Sequence, residues 1–462
     1  METFFIGVKT CLSLPLGDIT TILISLPATV KIGVVFGLLL VALRLRLSLD
    51  LALLAGGVAL DLWAGRGLFQ TLKDFAGGFK DIELWMLLAM TVLIIEVARF
   101  MTTKENADEL LAATSRLGGS HGRIVSLMAL PAVIGLVPMP AGARVSAPFV
   151  DQVAGTGRDG AWKTVVNYWF RHLWEYWWPL YPGVMLAATL FSLDMMHFTA
   201  TLFIYTPWTI LTGYLMLVRP HRRELTADVM ALPKPTSRQT IVLAPLITVM
   251  ATIFLLPLLP GPWQDQQSGA GAKLLPAIIG LGLALVIVFT DELRIARRTH
   301  IARWFPPQFG SAILNKRSAG VFLSVLGVML FKHMLECSAL LGEAAHQLND
   351  AHVPAMLAVM LLPFMAGMVT GLTVGFVGTS FPFVVALLHA PDSHLTPLAT
   401  LFLAYGCGYA GLLFSPVHLC LLLSRDYFQA PFAAVYRLLT PPLLLLLFAA
   451  LAGYGFLTWL GW

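Results

Sequence analysis

LPAVIGLVPMPAGARVSAPFV (130–150) and LPFMAGMVTGLTVGFVGTSFPFV (362–384) stand in opposite halves of a 462-residue chain and share one plan. Both open Leu-Pro, both place Gly and Val at the same steps after that Leu (Gly135 and Val137; Gly367 and Val369), and both close Ser-x-Pro-Phe-Val. Each lies in an apolar run, 124–157 and 354–388, that is too long for one membrane crossing and is broken at its centre by Pro or Gly. Each run therefore reads as two half-length helices meeting at a tip, a re-entrant hairpin. Irregular backbone at membrane depth is tolerated only where protein or a watered cavity satisfies it, so such tips line sites. The following apolar stretches, NYWFRHLWEYWWPLYPGVML (167–186) and LFLAYGCGYAGLLFSPVHLCL (401–421), are both interrupted by Pro and read as broken spans.

The composition agrees with this reading. The chain is 58% hydrophobic and 12% charged, too few charges for a watered skin. At about 20 residues per crossing there is room for roughly ten spans beside the two hairpins. Gly67 to Trp85, with Phe69, Leu72, Phe75 and Phe79 between Lys73, Asp74 and Lys80, reads as an interfacial amphipathic helix. The net charge of +5 is spread between apolar runs rather than gathered in a patch, which argues against nucleic acid as a partner. The four cysteines show no CxxC or paired spacing, so neither a disulfide framework nor a zinc site is expected. Met1-Glu2 opens no basic n-region, and no cleaved signal peptide is expected.

Orientation follows from the basic loops. Arg219, Arg222, Arg223, Lys234 and Arg238 crowd 219–239, and Arg294, Arg297, Arg298, Arg303, Lys316 and Arg317 crowd 291–317, whereas 337–353 has no Lys or Arg. The basic side should be cytoplasmic, with both termini outside the bacterial inner membrane. The two hairpins then enter from opposite faces, as an inverted repeat requires. The expected organisation is a first repeat at 1–218 (scaffold 1–123, hairpin and transport elements 124–218), a cytoplasmic linker at 219–239, and a second repeat at 240–462 (scaffold 240–353, hairpin and transport elements 354–462). The fold class is all-α and polytopic, five spans and one hairpin per repeat.

The first tip carries Pro140, Gly142, Arg144 and Ser146. An arginine near mid-membrane is costly without a partner, so Arg144 either meets an anionic substrate beside the free N–H groups of a starting helix or props up the tip's own carbonyls. The second tip offers Thr373, Gly378, Thr379 and Ser380, and the second broken span offers Ser415. Their glycines allow close approach and their hydroxyls are neutral donors, although Ser and Thr also simply pack between membrane helices. No carboxylate lies in either tip, so a divalent-cation cage is not expected, while a bound sodium ion held by carbonyls and hydroxyls stays open. Asn167, Arg171 and Glu175 share a face at helical spacing, with His172 beside them and His418 in the second broken span. These five are the coupling candidates. A His/Glu pair relays protons, and an Arg171–Glu175 pair holds structure. The aromatic cluster of Tyr168, Trp169, Trp174, Tyr176, Trp177, Trp178 and Tyr181 forms either an interface belt or a cavity wall. GxSxG, HExxH and GxxxxGK[ST] are all absent, and no enzyme is expected.

The words VPMPAGARVSAP (137–148), NYWFRHLWEYWWPLYPG (167–183) and SPVHLCL (415–421) resemble a bacterial integral-membrane family, domain of unknown function 401, over nearly the whole chain. That family is grouped with the ion transporter superfamily. The resemblance implies two inverted repeats, a homodimer and an elevator mechanism. The Ser-Asn-Thr tips of the sodium–dicarboxylate members are absent, and Pro and Arg occupy the first tip, so no substrate carries over. The expectation is a secondary carrier of a small anion in the lipid bilayer, driven by a proton or sodium gradient. The alternative is a flippase or exporter of an amphipathic or lipid-linked substrate, expected if the aromatic cluster opens to lipid.

Overall fold

The computed structural model describes residues 25–101, 103, 105–106, 109, 122–136, 138, 142–155, 157–225, 238–263, 270–298, 316–351, 354–390 and 393–462. Among these there is no β-strand. The first half contains α1 (Ala28–Arg44), α2 (Leu49–Trp63), α3 (Leu68–Gly77), α4 (Ile82–Met101), α5 (Gly122–Gly135), α6 (Gly142–Ala154), α7 (Gly160–Arg171), α8 (Pro182–Leu190), α9 (Met195–Leu202) and α10 (Tyr205–Gly213). The second contains α11 (Arg238–Leu255), α12 (Ala270–Arg298), α13 (Lys316–Cys337), α14 (Leu340–Asp350), α15 (Ala355–Thr370), α16 (Thr373–Leu388), α17 (Pro397–Phe414), α18 (Leu419–Tyr427) and α19 (Phe432–Trp459).

Seven segments among the described residues are long and apolar enough to cross a membrane: Ile82–Met101, Met195–His221, Thr240–Leu258, Ala272–Ile295, Ala319–Cys337, Pro397–Tyr427 and Phe432–Trp459. Of the roughly ten expected, the other three differ for local reasons. Helices α1 and α2 have 17 and 15 residues, short of that length, and the 160–190 segment is interrupted. The outer surface is apolar, with Leu38, Leu51, Ile247, Val286, Leu444 and Phe448 all exposed. Such a contiguous coat is stable only in lipid. The chain is a multi-pass membrane protein.

Helix α3 shows the same inversion in miniature. It turns Thr71 and Asp74 toward the protein and leaves Phe69 and Leu72 exposed. Asp74 is held by Arg66 at 2.7 Å and by Gln70 at 2.6 Å, so the apolar face is free to lie in the interface.

The two expected hairpins are two pairs of packed short helices, α5 with α6 and α15 with α16. At 14, 13, 16 and 16 residues each helix reaches only about 20–24 Å, less than the ~30 Å of hydrocarbon. Four of the contacts between the halves bear on the organisation. Helix α2 packs on α13 and α4 on α12; α8 packs on α16 and α18 on α6. An ion network of Arg99 with Glu96 (2.9 Å) and Glu292 (2.8 Å) ties α4 to α12.

Candidate functional site

Helix α7 begins under an Asp159 cap, whose carboxylate accepts from the Ala161 amide. It ends at Arg171, and the chain stays unwound from His172 to Tyr181 before α8 resumes. Pro179 and Pro182 supply no amide hydrogen for a continuing helix. The helical register expected through Glu175 is therefore replaced by an irregular segment, with Arg171 at the helix end and Glu175 beyond it.

Buried backbone groups need partners, and this break finds them in side chains. Tyr409 donates to the His172 carbonyl at 2.9 Å and Tyr405 to the Glu175 carbonyl at 2.7 Å, both from α17. In turn, the break's aromatic donors reach the first hairpin. Trp174 Nε1 meets Ala132 O at 2.7 Å, Tyr181 OH meets Gly135 O at 2.5 Å, and Trp178 Nε1 meets Leu136 O at 2.9 Å. Ala132 and Gly135 carry last-turn carbonyls of α5, and Leu136 is the residue just past it, so none has a partner in a continuing helix. The aromatic cluster is thus buried or half-buried within the protein, and Trp174, Trp178 and Tyr181 cap backbone of the first hairpin. The contact is so close that a Cβ on Gly135 would lie 2.0 Å from Arg171 O.

In the second half the break is short, Ser415 to His418, and it docks on the tip between α15 and α16. Gly371 turns that tip in the left-handed region at φ +60°. Ser415 Oγ donates to Met368 O at 2.7 Å, and His418 Nδ1 pairs with Gly371 O at 2.7 Å.

The two breaks meet in one buried cluster. Glu175 Oε1 lies 3.9 Å from an Arg171 guanidinium nitrogen and 3.8 Å from His172 Nε2. Thr373 donates to Glu175 Oε2 at 3.4 Å. His172 Nδ1 meets Tyr168 O at 2.6 Å, and His172 Nε2 faces His418 Nε2 at 3.1 Å. Cys420 stands beside the pair, its Sγ and the two histidines' ligand atoms all within 4.8 Å of one another. Arg171, His172, Glu175 and His418 are all at most 6% exposed, so the Arg171–Glu175 pair is enclosed by protein.

A cavity of about 560 Å³ is lined by Arg44, Arg46, Val369, Thr370, Leu372 and Val417 with Leu43, Leu47, Leu49 and Gly375. It lies between the turn joining α1 to α2 on one side and the second tip and second break on the other.

Other expected site residues fall elsewhere. Arg144 and Val145 point outward on α6 while Gly142, Ala143, Ser146 and Ala147 face inward. Arg144 is therefore exposed, not buried at the tip, and among the described residues no hydrogen bond or ion pair joins it to Glu175, whose neighbours are Arg171 and His172. Pro140 lies outside the described residues. Ser146, Thr379 and Ser380 direct their hydroxyls to carbonyls of their own helices. Gly378 serves packing, since a Cβ there would lie 2.3 Å from Val328. Asn167 joins Ala143 O (2.9 Å) to Ser424 Oγ (2.8 Å), linking the first hairpin to α18. Sequence reasoning placed Thr370 at the second tip but missed Arg44, Arg46, Tyr405 and Tyr409, and gave Cys420 no role. The two arginines had a signal, their pairing in a short loop between apolar runs; the tyrosines sit unmarked in an apolar span.

A search of curated proteins finds no match. Among solved structures, the YdaH transporter of Alcanivorax borkumensis, described as having an unusual topology, superposes with a TM-score of 0.54 at 16% identity, over 84% of this chain and 88% of that one. At that identity the likeness is one of fold. The sequence profile of the family described as protein of unknown function DUF401 matches residues 27–260 and 274–457, and the chain belongs to that family.

Proposed function

We propose that this protein is a secondary carrier of a small anion, built as two inverted repeats whose hairpins are re-entrant. The observation that carries the anion reading is the cavity, whose lining sets Arg44 and Arg46 beside Thr370 and Gly375 of the second tip. Two cations with neutral donors, and no carboxylate in the lining, suit an anionic group. The repeat reading is supported by the reciprocal packing of α2 on α13 with α4 on α12, and of α8 on α16 with α18 on α6. In the orientation set by the basic loops, Arg44 and Arg46 are cytoplasmic and the cavity faces inward. A mobile unit of hairpins and broken spans, moving past the scaffold of a homodimer on a proton or sodium gradient, keeps its unwound backbone satisfied throughout. The flippase alternative has less support, because six of the seven aromatic residues are buried and Trp174, Trp178 and Tyr181 are engaged by carbonyls of the first hairpin.

Purified protein screened by thermal unfolding against carboxylates, phosphonates and sulfonates should be stabilised by one anion class, since a ligand of the folded state raises its stability. Arg44→Gln/Arg46→Gln should weaken that response at least tenfold. No shift with any anion, together with no uptake into reconstituted vesicles, rejects the reading. Topology is checked separately by cysteine labelling: an engineered site beside Glu343 should react from outside and one beside Arg222 should not. The reverse pattern overturns the orientation and with it the inward-facing cavity.

A further inference from the structure

His172 and His418 make three short ring contacts, and two neutral imidazoles bring only two N–H groups to them. His172 Nδ1 faces Tyr168 O at 2.6 Å and His418 Nδ1 faces Gly371 O at 2.7 Å. A carbonyl only accepts, so both Nδ1 atoms carry the hydrogens. The Nε2 atoms are then two lone pairs facing each other at 3.1 Å in a buried site. A cation between them, a proton or a metal ion, would satisfy both.

We propose that the cation is a transition-metal ion of the zinc class, bound by His172 Nε2, His418 Nε2 and the Cys420 thiolate. Three observations favour a metal over an extra proton. The thiol is a third donor within 4.8 Å of both ring nitrogens. Donation of the far ring N–H to a backbone carbonyl is the arrangement that orients ligating histidines. The 3.1 Å nitrogen separation also approaches the ~3.3 Å that two nitrogens take on a tetrahedral ion with bonds of ~2.0–2.1 Å. Glu175 Oε1, 3.8 Å from His172 Nε2, is placed to become the fourth ligand. A divalent ion with one thiolate and one carboxylate is neutral as a group, so it adds no net charge beside Arg171. Two imidazoles and a thiolate select zinc-class ions over magnesium or calcium, which prefer oxygen.

The consequence is a staple. His172 closes α7 in the first half, and His418 and Cys420 open α18 in the second, so one ion fastens both breaks. This holds whether or not the cavity carries an anion.

The experiment uses the full chain in detergent, with Zn²⁺ and Co²⁺ as probes. About one equivalent of Zn²⁺ per chain should survive dialysis, and Co²⁺ should give tetrahedral visible bands with a thiolate charge-transfer band. Cys420→Ser should abolish the charge-transfer band, and His418→Gln should weaken Zn²⁺ binding at least a hundredfold. Cys337→Ser is the control, because Cys337 Sγ lies 3.7 Å from His333 Nε2 and is another Cys–His neighbour; it should change neither reading. If His418→Gln does not fold, the wild-type cobalt spectrum and Cys420→Ser still decide. Failure of wild-type protein to retain Zn²⁺, or binding lost in Cys337→Ser but kept in Cys420→Ser, overturns the proposal. The anion screen is scored on different residues, so the two can fail separately.

Discussion

Between α7 and α8 the chain is unwound from His172 to Tyr181, whereas between α17 and α18 the interruption runs only from Ser415 to His418. Both meet the same difficulty, half-helix ends buried away from water with carbonyls lacking partners. The first break meets it with bulk. Its Trp and Tyr donors cap α5, while tyrosines of the other half cap the break itself. The second meets it with two small polar groups, Ser415 and His418, donated to Met368 and Gly371 of the facing tip. The long break thereby turns a charged pair inward, and the short one leaves its tip beside a cavity. The difference teaches that the two breaks hold different work: a sealed interior at one and a mouth at the other.

The strongest test of that contrast is the charge at the sealed break. Glu175→Gln removes the carboxylate facing Arg171 and His172, and breaking a buried pair on one side costs about 3–5 kcal/mol. In chelated detergent solution the variant should unfold well below wild type. Arg171→Met/Glu175→Gln should regain part of that loss, because the double change removes both charges together. A Glu175→Gln protein of unchanged stability would show that the first break is not sealed.

Backbone fit comes next and should again separate the halves. Gly135→Ala places a Cβ against Arg171 O at 2.0 Å, and overpacking of this kind costs about 1–3 kcal/mol, occasionally more. Gly371→Ala fails for another reason, the left-handed φ of +60°, at about 1–2 kcal/mol. Thermal unfolding should rank Gly135→Ala below Gly371→Ala, and anion response should change only in Gly371→Ala, which stands at the cavity. The opposite ranking would reverse the assignment of seal and mouth.

Much of this architecture is visible in residue order. Run lengths and central Pro/Gly mark both hairpins, and the second halves of the quoted words mark both breaks. Rotational phase is not visible. Arg144 follows the tip by so few residues that only the built helix shows it facing outward. The Arg171–Glu175 spacing suits a helix, yet the helix ends at Arg171, and tyrosines far along the chain take up the freed carbonyls. Donor targets are equally hidden, since nothing in Trp174 or Tyr181 points to Ala132 or Gly135. Cys420 shows no motif because its neighbour His172 comes from the opposite half.

The smallest and finest comparison removes one hydroxyl from each side. Tyr409→Phe deletes the donor to His172 O, a 2.9 Å bond in fully buried surroundings. Ser415→Ala deletes the donor to Met368 O, a 2.7 Å bond in part-buried surroundings. A carbonyl left without a partner in the interior carries the full desolvation penalty, about 1–3 kcal/mol, whereas one that water reaches loses only the net bond, about 0.5–1.5 kcal/mol. Met368 adjoins Val369, which lines the cavity, so water can take over the role of Ser415 there. His172 O has no such access behind Tyr409. Thermal unfolding should therefore show the larger loss for Tyr409→Phe, although it removes the longer bond. Hydrogen exchange should rise around the second tip in Ser415→Ala and stay unchanged around His172. Equal losses in the two variants would mean that the second break is as dry as the first, and the mouth would have to be sought elsewhere.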